Sequence, residues 1–288
     1  MRNIRILVFA LLLANTVFAQ RFHVGVFGGL AAYNGDLADK LFPRKVTNGA
    51  IGVTGNYELT ENLMLRAGFT YAVLGGADRN SRNEELVSRN LSFETALREF
   101  SLLGEYYIQN LYDHRFSPYF FAGLAVFHYN PYTFNGTNDK VFLKPLSTEG
   151  QGIAGYTNKP YSLTQVAIPL GAGLKFALTN NLHIGAEVGL RKLFTDYLDD
   201  VSTNYADPAD LLAAKGQTAV DLSYRGDEID GGNPNYPSKG AQRGGSKYKD
   251  FYYFTGLHLT YRLGGSGGGG FLGGHGKKSR IDCPTNVY

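Results

Sequence analysis

The chain has 288 residues, a formal net charge of +3 from 28 Lys and Arg against 25 Asp and Glu, and one cysteine. A balance this close to neutral excludes the basic footprint of a nucleic-acid binder, and a lone cysteine excludes a disulfide scaffold. Trp is absent, while 37 Gly, 20 Tyr and 19 Phe fit an exported all-β protein better than a helical one.

Residues 1–19 read as a secretory signal peptide. Arg2 and Arg5 precede an apolar run from Ile6 to Leu13, and Val17-Phe18-Ala19 forms a small-x-small cleavage site that leaves Gln20 as the mature N-terminus. The run is too short for a membrane-anchor helix. No cysteine follows the cleavage site, so a lipoprotein anchor is excluded. Loss of Arg2 and Arg5 brings the net charge to about +1.

Eight strands follow: Phe22–Tyr33, Gly49–Leu59, Leu63–Gly75, Leu97–Ile108, Ser117–Tyr129, Tyr161–Ala177, Leu182–Phe194 and Phe251–Leu263. The third puts Leu63, Leu65, Ala67, Phe69, Tyr71 and Val73 on one face and Met64, Arg66, Gly68 and Thr70 on the other. In the seventh, Leu182, Ile184, Ala186, Val188 and Leu190 oppose His183, Gly185, Glu187, Gly189 and Arg191. The eighth sets Phe251, Tyr253, Leu257, Leu259, Tyr261 and Leu263 against His258, Thr260 and Arg262. The first and fifth are apolar on both faces, so their orientation stays open.

The connections alternate strictly between short and long. Thr60–Asn62, a turn around Asp113 and Thr179–Asn181 are short, whereas Asn34–Asn48, Gly76–Ala96, Asn130–Pro160 and Thr195–Asp250 are long. Short periplasmic turns and long outer loops mark a transmembrane β-barrel. A lipocalin-like soluble barrel shares the strand count but would turn a more charged, less glycine-rich face to water. Here the polar face is Gly, Ala and Thr with Glu58, Arg66, Glu105, Lys175, Glu187, Arg191 and Arg262, a set suited to a narrow, filled lumen. These seven are expected to pair with one another as a plug.

Two aromatic rows are expected where the barrel meets the membrane interfaces: Tyr57, Tyr106, Tyr119, Phe176 and Tyr261 inside, Phe127, Tyr129, Tyr161, Phe194 and Tyr253 outside. Tyr119 and Tyr129 lie ten residues apart, on the order of 25 Å along a tilted strand. Within the longest loop, Asp207–Lys215 predicts a short capped helix, and the segment from Gly226 to Lys247 is expected to be mobile. The expected organisation is therefore signal peptide 1–19, outer-membrane barrel 20–264, and a Gly-rich periplasmic tail 265–288 that behaves as a flexible linker.

Catalytic and cofactor signatures are weak. Gly264–Gly268 matches G-x-S-x-G without the strand–turn–helix context of a nucleophile elbow, and the same run lacks a Walker Lys-Ser/Thr pair. The six histidines show no metal-ligand spacing, and His183 and His258 read as members of the polar plug. Asp196, Asp199 and Asp200 could take a hard cation, but without EF-hand spacing they read as loop hydrogen-bond acceptors. No cofactor is expected, and the reading is non-enzymatic.

Several blocks carry a family resemblance: NGDL (Asn34–Leu37), RNLSF (Arg89–Phe93), RFSPYFFAGLAVFHYNP (Arg115–Pro131), PLSTEGQG (Pro145–Gly152), IPLGAGLKFALTNNLHIGAEVGLRK (Ile168–Lys192) and FTDYLDDVST (Phe194–Thr203). Together with the terminal Cys-Pro pair they resemble the PorG-like outer-membrane barrels of Bacteroidota, although the Gly-rich insert before Cys283 departs from that pattern. The resemblance implies a component of the type IX secretion system that anchors a periplasmic ring of PorK-like lipoprotein and PorN-like protein, supporting export and, in gliding species, motility. The alternative is a stand-alone surface barrel that binds a ligand or adhesion partner through its outer loops. An odd cysteine in an oxidising periplasm suggests an intermolecular bond. Lys277, Lys278 and Arg280 favour the thiolate and Pro284 stiffens the docking end, so Cys283 is the candidate for a disulfide to the ring lipoprotein.

Overall fold

The computed structural model describes residues 21–38, 47–230, 232–247 and 249–263. The signal peptide, its cleavage site and the tail from residue 264 onward lie outside them. Ten strands form: β1 (Phe22–Asn34), β2 (Asn48–Glu58), β3 (Leu63–Ala77), β4 (Ser92–Tyr107), β5 (Phe116–His128), β6 (Tyr132–Phe134), β7 (Lys140–Phe142), β8 (Thr164–Ala177), β9 (Leu182–Leu193) and β10 (Phe251–Arg262). Eight of them close antiparallel in the order β3-β2-β1-β10-β9-β8-β5-β4, with β3 pairing β4 to complete the ring. Closure satisfies every strand edge internally, which a sheet in lipid requires.

The period-two pattern decides which face goes where. Along β3 burial alternates strictly from Leu63 to Thr70, with Met64, Arg66, Gly68 and Thr70 inward. The outward set is apolar and uncovered around the whole wall: Ile51 is 66% exposed and Leu124 69%, and Val24, Phe100, Val166, Leu170 and Leu257 are exposed with them. A water-soluble protein does not carry so continuous an apolar girdle. The molecule is an eight-stranded antiparallel transmembrane β-barrel of the outer-membrane type.

Phe22, Tyr106, Phe116, Phe176 and Tyr261 are exposed at the short-turn rim, and Phe194 is exposed toward the long-loop end. Tyr119, Phe127 and Tyr129 do not face lipid. All three are 0% exposed, and Tyr161 and Tyr253 are buried too. β5, like β1, carries apolar residues on both faces: Phe116 and Phe120 face outward, while Tyr119, Phe121 and Phe127 turn inward and fill the lumen. The Tyr119–Tyr129 spacing therefore measures the interior and not the lipid band.

β4 begins at Ser92, ahead of the expected Leu97, because its pairing with β3 continues up to Ala77↔Ser92. β8 begins only at Thr164. The outer loops 35–47, 78–91, 129–163 and 194–250 contain α1 (Glu84–Arg89), the hairpin β6–β7, α2 (Pro208–Lys215) and α3 (Gln217–Ser223). Asp207 caps α2 by accepting the Ala209 N–H at 2.9 Å. The segment 226–247 is not a mobile strap where it is described: Arg243 within it is only 3% exposed, and Gly240 donates to the Tyr205 carbonyl at 3.0 Å. Together the loops form a folded cap over the outer end of the barrel.

Candidate functional site

Two buried polar assemblies lie along the barrel axis, one in the lumen and one in the cap. Within the lumen, Arg66 on β3 bridges Glu105 on β4 (2.9 Å) and Glu187 on β9 (2.8 Å). Lys175 on β8 completes the group, 3.5 Å from Glu105. Tyr107 donates to Glu105 and accepts from Lys175, and Tyr119 donates to Glu187 at 2.6 Å. Arg66 can only donate, so its 3.3 Å contact to His258 Nδ1 leaves the proton on Nε2, which donates to Thr54 at 2.8 Å.

Of the seven lumen charges selected from sequence, the structure brings Arg66, Glu105, Lys175 and Glu187 into this group. Arg191 sits higher and pairs with Glu99 at 3.2 Å, and Tyr252 donates to the same carboxylate at 2.7 Å. Glu99 shares the inward parity of Glu105 along β4, which is the signal in the sequence that points to it. Glu58 lies at the short-turn end between His23 (3.0 Å) and Arg262 (3.8 Å). Tyr112, from the β4–β5 turn, reaches over that mouth and donates to Glu58 at 2.6 Å. His183 stands beside His23, with ring centroids 5.8 Å apart. Phe27, Phe121 and Phe254 pack the level above Arg66.

The cap is assembled from carboxylates. Tyr33, at the top of β1, donates to Asp199 (2.5 Å) and lies 3.2 Å from Asp250. Asp250 accepts the Leu198 N–H and Asp199 the Val201 N–H, each at 2.9 Å. Asp200 accepts from the hydroxyls of Thr148 and Tyr161, both at 2.6 Å. Asp196 accepts from Ser202 at 2.7 Å. Glu149 takes the backbone N–H groups of Ser202 (2.8 Å) and Thr203 (3.0 Å) and pairs with Arg243 at 3.1 Å. Arg243 also donates to the Asp200 carbonyl at 2.7 Å. Arg89 grips Asp78 through two 2.7 Å bonds and donates to the carbonyls of Asp36 and Arg243.

Burial pushes these carboxyl groups up. Asp36 and Asp200 rise to about 6, the latter despite nearby Arg243. Asp199 and Asp250 rise well above the usual range, first through burial and, for Asp199, next through the charge of Asp250. Tyr33 has one proton to share between them, so a proton held by one carboxyl satisfies the arrangement. Asp196, Asp199 and Asp200 thus act as hydrogen-bond acceptors that hold the loops. Among the described residues no cluster of three or more His, Cys, Asp or Glu has the geometry of a metal site.

The motif blocks noted in the sequence converge here. NGDL supplies Asp36, RNLSF supplies Arg89, PLSTEGQG supplies Thr148 and Glu149, and FTDYLDDVST supplies Asp196, Asp199, Asp200 and Ser202. Arg243, Asp250 and Tyr33 complete the cap, but no local pattern singles them out. Lys277, Lys278, Arg280, Cys283 and Pro284 lie outside the described residues.

No curated protein matches the chain. Among solved structures it is similar to Neisserial surface protein A (NspA), at 10% identity over 84% of this chain and 97% of that one, with a TM-score of 0.43. The N-terminal β-barrel domain of Pseudomonas aeruginosa OprF aligns at 13% identity over 84% and 97%, with a TM-score of 0.38. Ail, the attachment invasion locus protein of Yersinia pestis, aligns in complex with the heparin analogue sucrose octasulfate at 10% identity over 84% and 98%, with a TM-score of 0.40. One family, "Domain of unknown function (DUF6089)", matches residues 2–212. The chain belongs to that family, and the matched stretch includes Asp36, Glu149, Asp196, Asp199 and Asp200 of the cap while ending before Arg243, Asp250 and β10.

Proposed function

We propose that this barrel is a non-enzymatic outer-membrane component of a type IX secretion apparatus, fastening a periplasmic ring of PorK-like lipoprotein and PorN-like protein to the membrane. The observation behind this reading is the filled lumen. Arg66, Glu105, Lys175 and Glu187 lie across its middle, and Tyr112 with Glu58 covers its periplasmic mouth. A bore packed in this way carries neither folded cargo nor solute, which leaves the two ends of the barrel as its working surfaces. The sequence resemblance supplies the periplasmic partner, and Cys283 supplies a candidate covalent link to it.

A second reading has its own support. The outer loops form a preordered surface, which a binder of an extracellular ligand needs and an anchor does not. Deleting the gene separates the two. An anchor loses secretion of every type IX cargo protein, and its affinity-purified, detergent-solubilised form retains the ring proteins. Non-reducing gels then show a Cys283-dependent band at the summed mass of barrel and lipoprotein. A surface binder loses a single adhesion or uptake trait, secretes normally and brings down no ring protein.

A further inference from the structure

The outward wall changes character abruptly on one side of the barrel. Across β3, β4, β5 and β8 one register row reads Phe69, Phe100, Val126 and Val166, and all four are exposed. The next outward row reads Tyr71, Arg98, His128 and Thr164, paired Tyr71↔Arg98, Arg98↔His128 and His128↔Thr164. Apolar gives way to polar in a single step of the pleat.

That second row lies at the outer boundary of the hydrocarbon. On β4, Arg98 is eight residues above Tyr106 of the inner aromatic rim, about 20 Å along a tilted strand and close to the height of the lipid band. The guanidinium is obligately charged and points away from the lumen. His128 is its direct cross-strand neighbour, held by Thr164 through a 3.0 Å contact at Nδ1. With the Thr164 hydroxyl donating to Nδ1, the ring proton of neutral His128 sits on Nε2.

The hairpin β6–β7 rises directly above, joined to β4 through Glu94↔Tyr132. It presents exposed Phe134 and Phe142 beside Tyr132, with Lys140 Nζ 3.6 Å from the Tyr132 ring centroid. Aromatic rings with basic side chains at headgroup depth are the usual anchors of a membrane interface. Here they flank two adjacent nitrogen donors aimed at the lipid.

We propose that Arg98 and His128 form a binding site for the phosphate of an outer-leaflet glycolipid of the lipid A class, with its sugar against Tyr71 and the β6–β7 hairpin and its acyl chains along Phe69, Phe100, Val126 and Val166. Position selects this occupant. The row faces lipid and not the cap, so a soluble ligand cannot lie on it without leaving water. It also sits at the long-loop end, where the outer leaflet is. The site rests on the transmembrane fold and is independent of any secretion partner.

The test uses the full-length mature protein, extracted and placed in phosphatidylcholine nanodiscs doped with monophosphoryl lipid A, dephosphorylated lipid A or phosphatidylglycerol. Native mass spectrometry then reads the lipid retained after release. Monophosphoryl lipid A is expected to be retained at least tenfold more than the dephosphorylated form and more than phosphatidylglycerol. The Arg98→Gln/His128→Gln variant should lose that preference while Lys192→Gln, an outward cation off this row, keeps it. Heat-modifiable migration of each variant verifies that the barrel has closed. Equal retention of both lipid A forms, a preference for phosphatidylglycerol, or an unchanged preference in the folded double variant would each overturn the site.

Discussion

The lumen and the cap are both buried, polar and stacked on one axis, yet they are built by opposite rules. In the lumen each carboxylate meets a cation: Glu105 and Glu187 share Arg66, and Glu99 meets Arg191. In the cap, carboxylates outnumber the guanidinium groups of Arg89 and Arg243, and Asp199, Asp200, Asp250 and Glu149 accept mainly from backbone N–H groups and hydroxyls. The cause lies in the backbone. Strands satisfy their own amides through the ladder, so lumen side chains are left to neutralise one another. Loops have no ladder, and acidic side chains take over as acceptors for otherwise orphaned amides.

The largest break in that comparison is Arg66→Met, which leaves Glu105 and Glu187 buried without their shared partner. A loss of about 3–5 kcal/mol is expected, read as a lower denaturant midpoint for heat-modifiable migration in detergent. The cap should stay resistant to protease until the barrel itself opens. Arg243→Met acts on the other region. It removes the partner of Glu149 and a donor to the Asp200 carbonyl, and a local loss of about 3 kcal/mol is expected. Protease should then cut within 226–247 while barrel migration is unchanged. If both variants destabilise both regions equally, cap and barrel form one cooperative unit and the contrast fails.

Acidity should separate the regions with less force. The folded cap holds protons on Asp36 and Asp200 up to about pH 6, and on Asp199 and Asp250 higher still. Unfolded aspartates release theirs near pH 4. Between those limits the folded form binds more protons, so cap stability falls as pH rises. It is greatest below about pH 4, declines through pH 6 and declines further as Asp199 and Asp250 titrate. Hydrogen exchange in 195–203 should accelerate from pH 5 to pH 8 beyond the intrinsic rate. Asp199→Asn, which keeps an acceptor for Val201, should flatten that trend. A flat wild-type profile would remove the buried-proton account. The smallest effect belongs to Asp207→Ala, which deletes the α2 cap at about 1 kcal/mol and should register only as local fraying of α2 by hydrogen exchange.

The same distinction explains what could be read from the sequence. Barrel class, strand count and the inward placement of Arg66, Glu187 and Arg191 follow from period two, because a strand makes side-chain direction a matter of parity. β5 carries apolar residues on both faces, so parity could not say whether Tyr119 and Phe127 face lipid or lumen, and their placement at the lipid rims was wrong. The cap was legible only as a loop. Tyr33, Asp199 and Asp250 meet across separations of 166 and 217 residues, and no local composition records such an encounter. Glycine-rich, polar 226–247 has the composition of a mobile strap, yet Arg243 draws it into the interior.

The packing above Arg66 also has a mechanical consequence. Phe121 presses against the backbone where β8 and β9 lack side chains: a Cβ on Gly189 would stand 2.7 Å from its ring, and one on Gly171 would collide with it. A tube whose wall rests directly on its filling has no slack in cross-section, so it can neither flatten nor shear without breaking packed contacts. Traction applied to the cap would therefore arrive at the short-turn rim as displacement of a stiff rod, with little dissipated along the way. Such a body transmits pull or torque across a fluid bilayer, which a water-filled pore of the same height would do poorly.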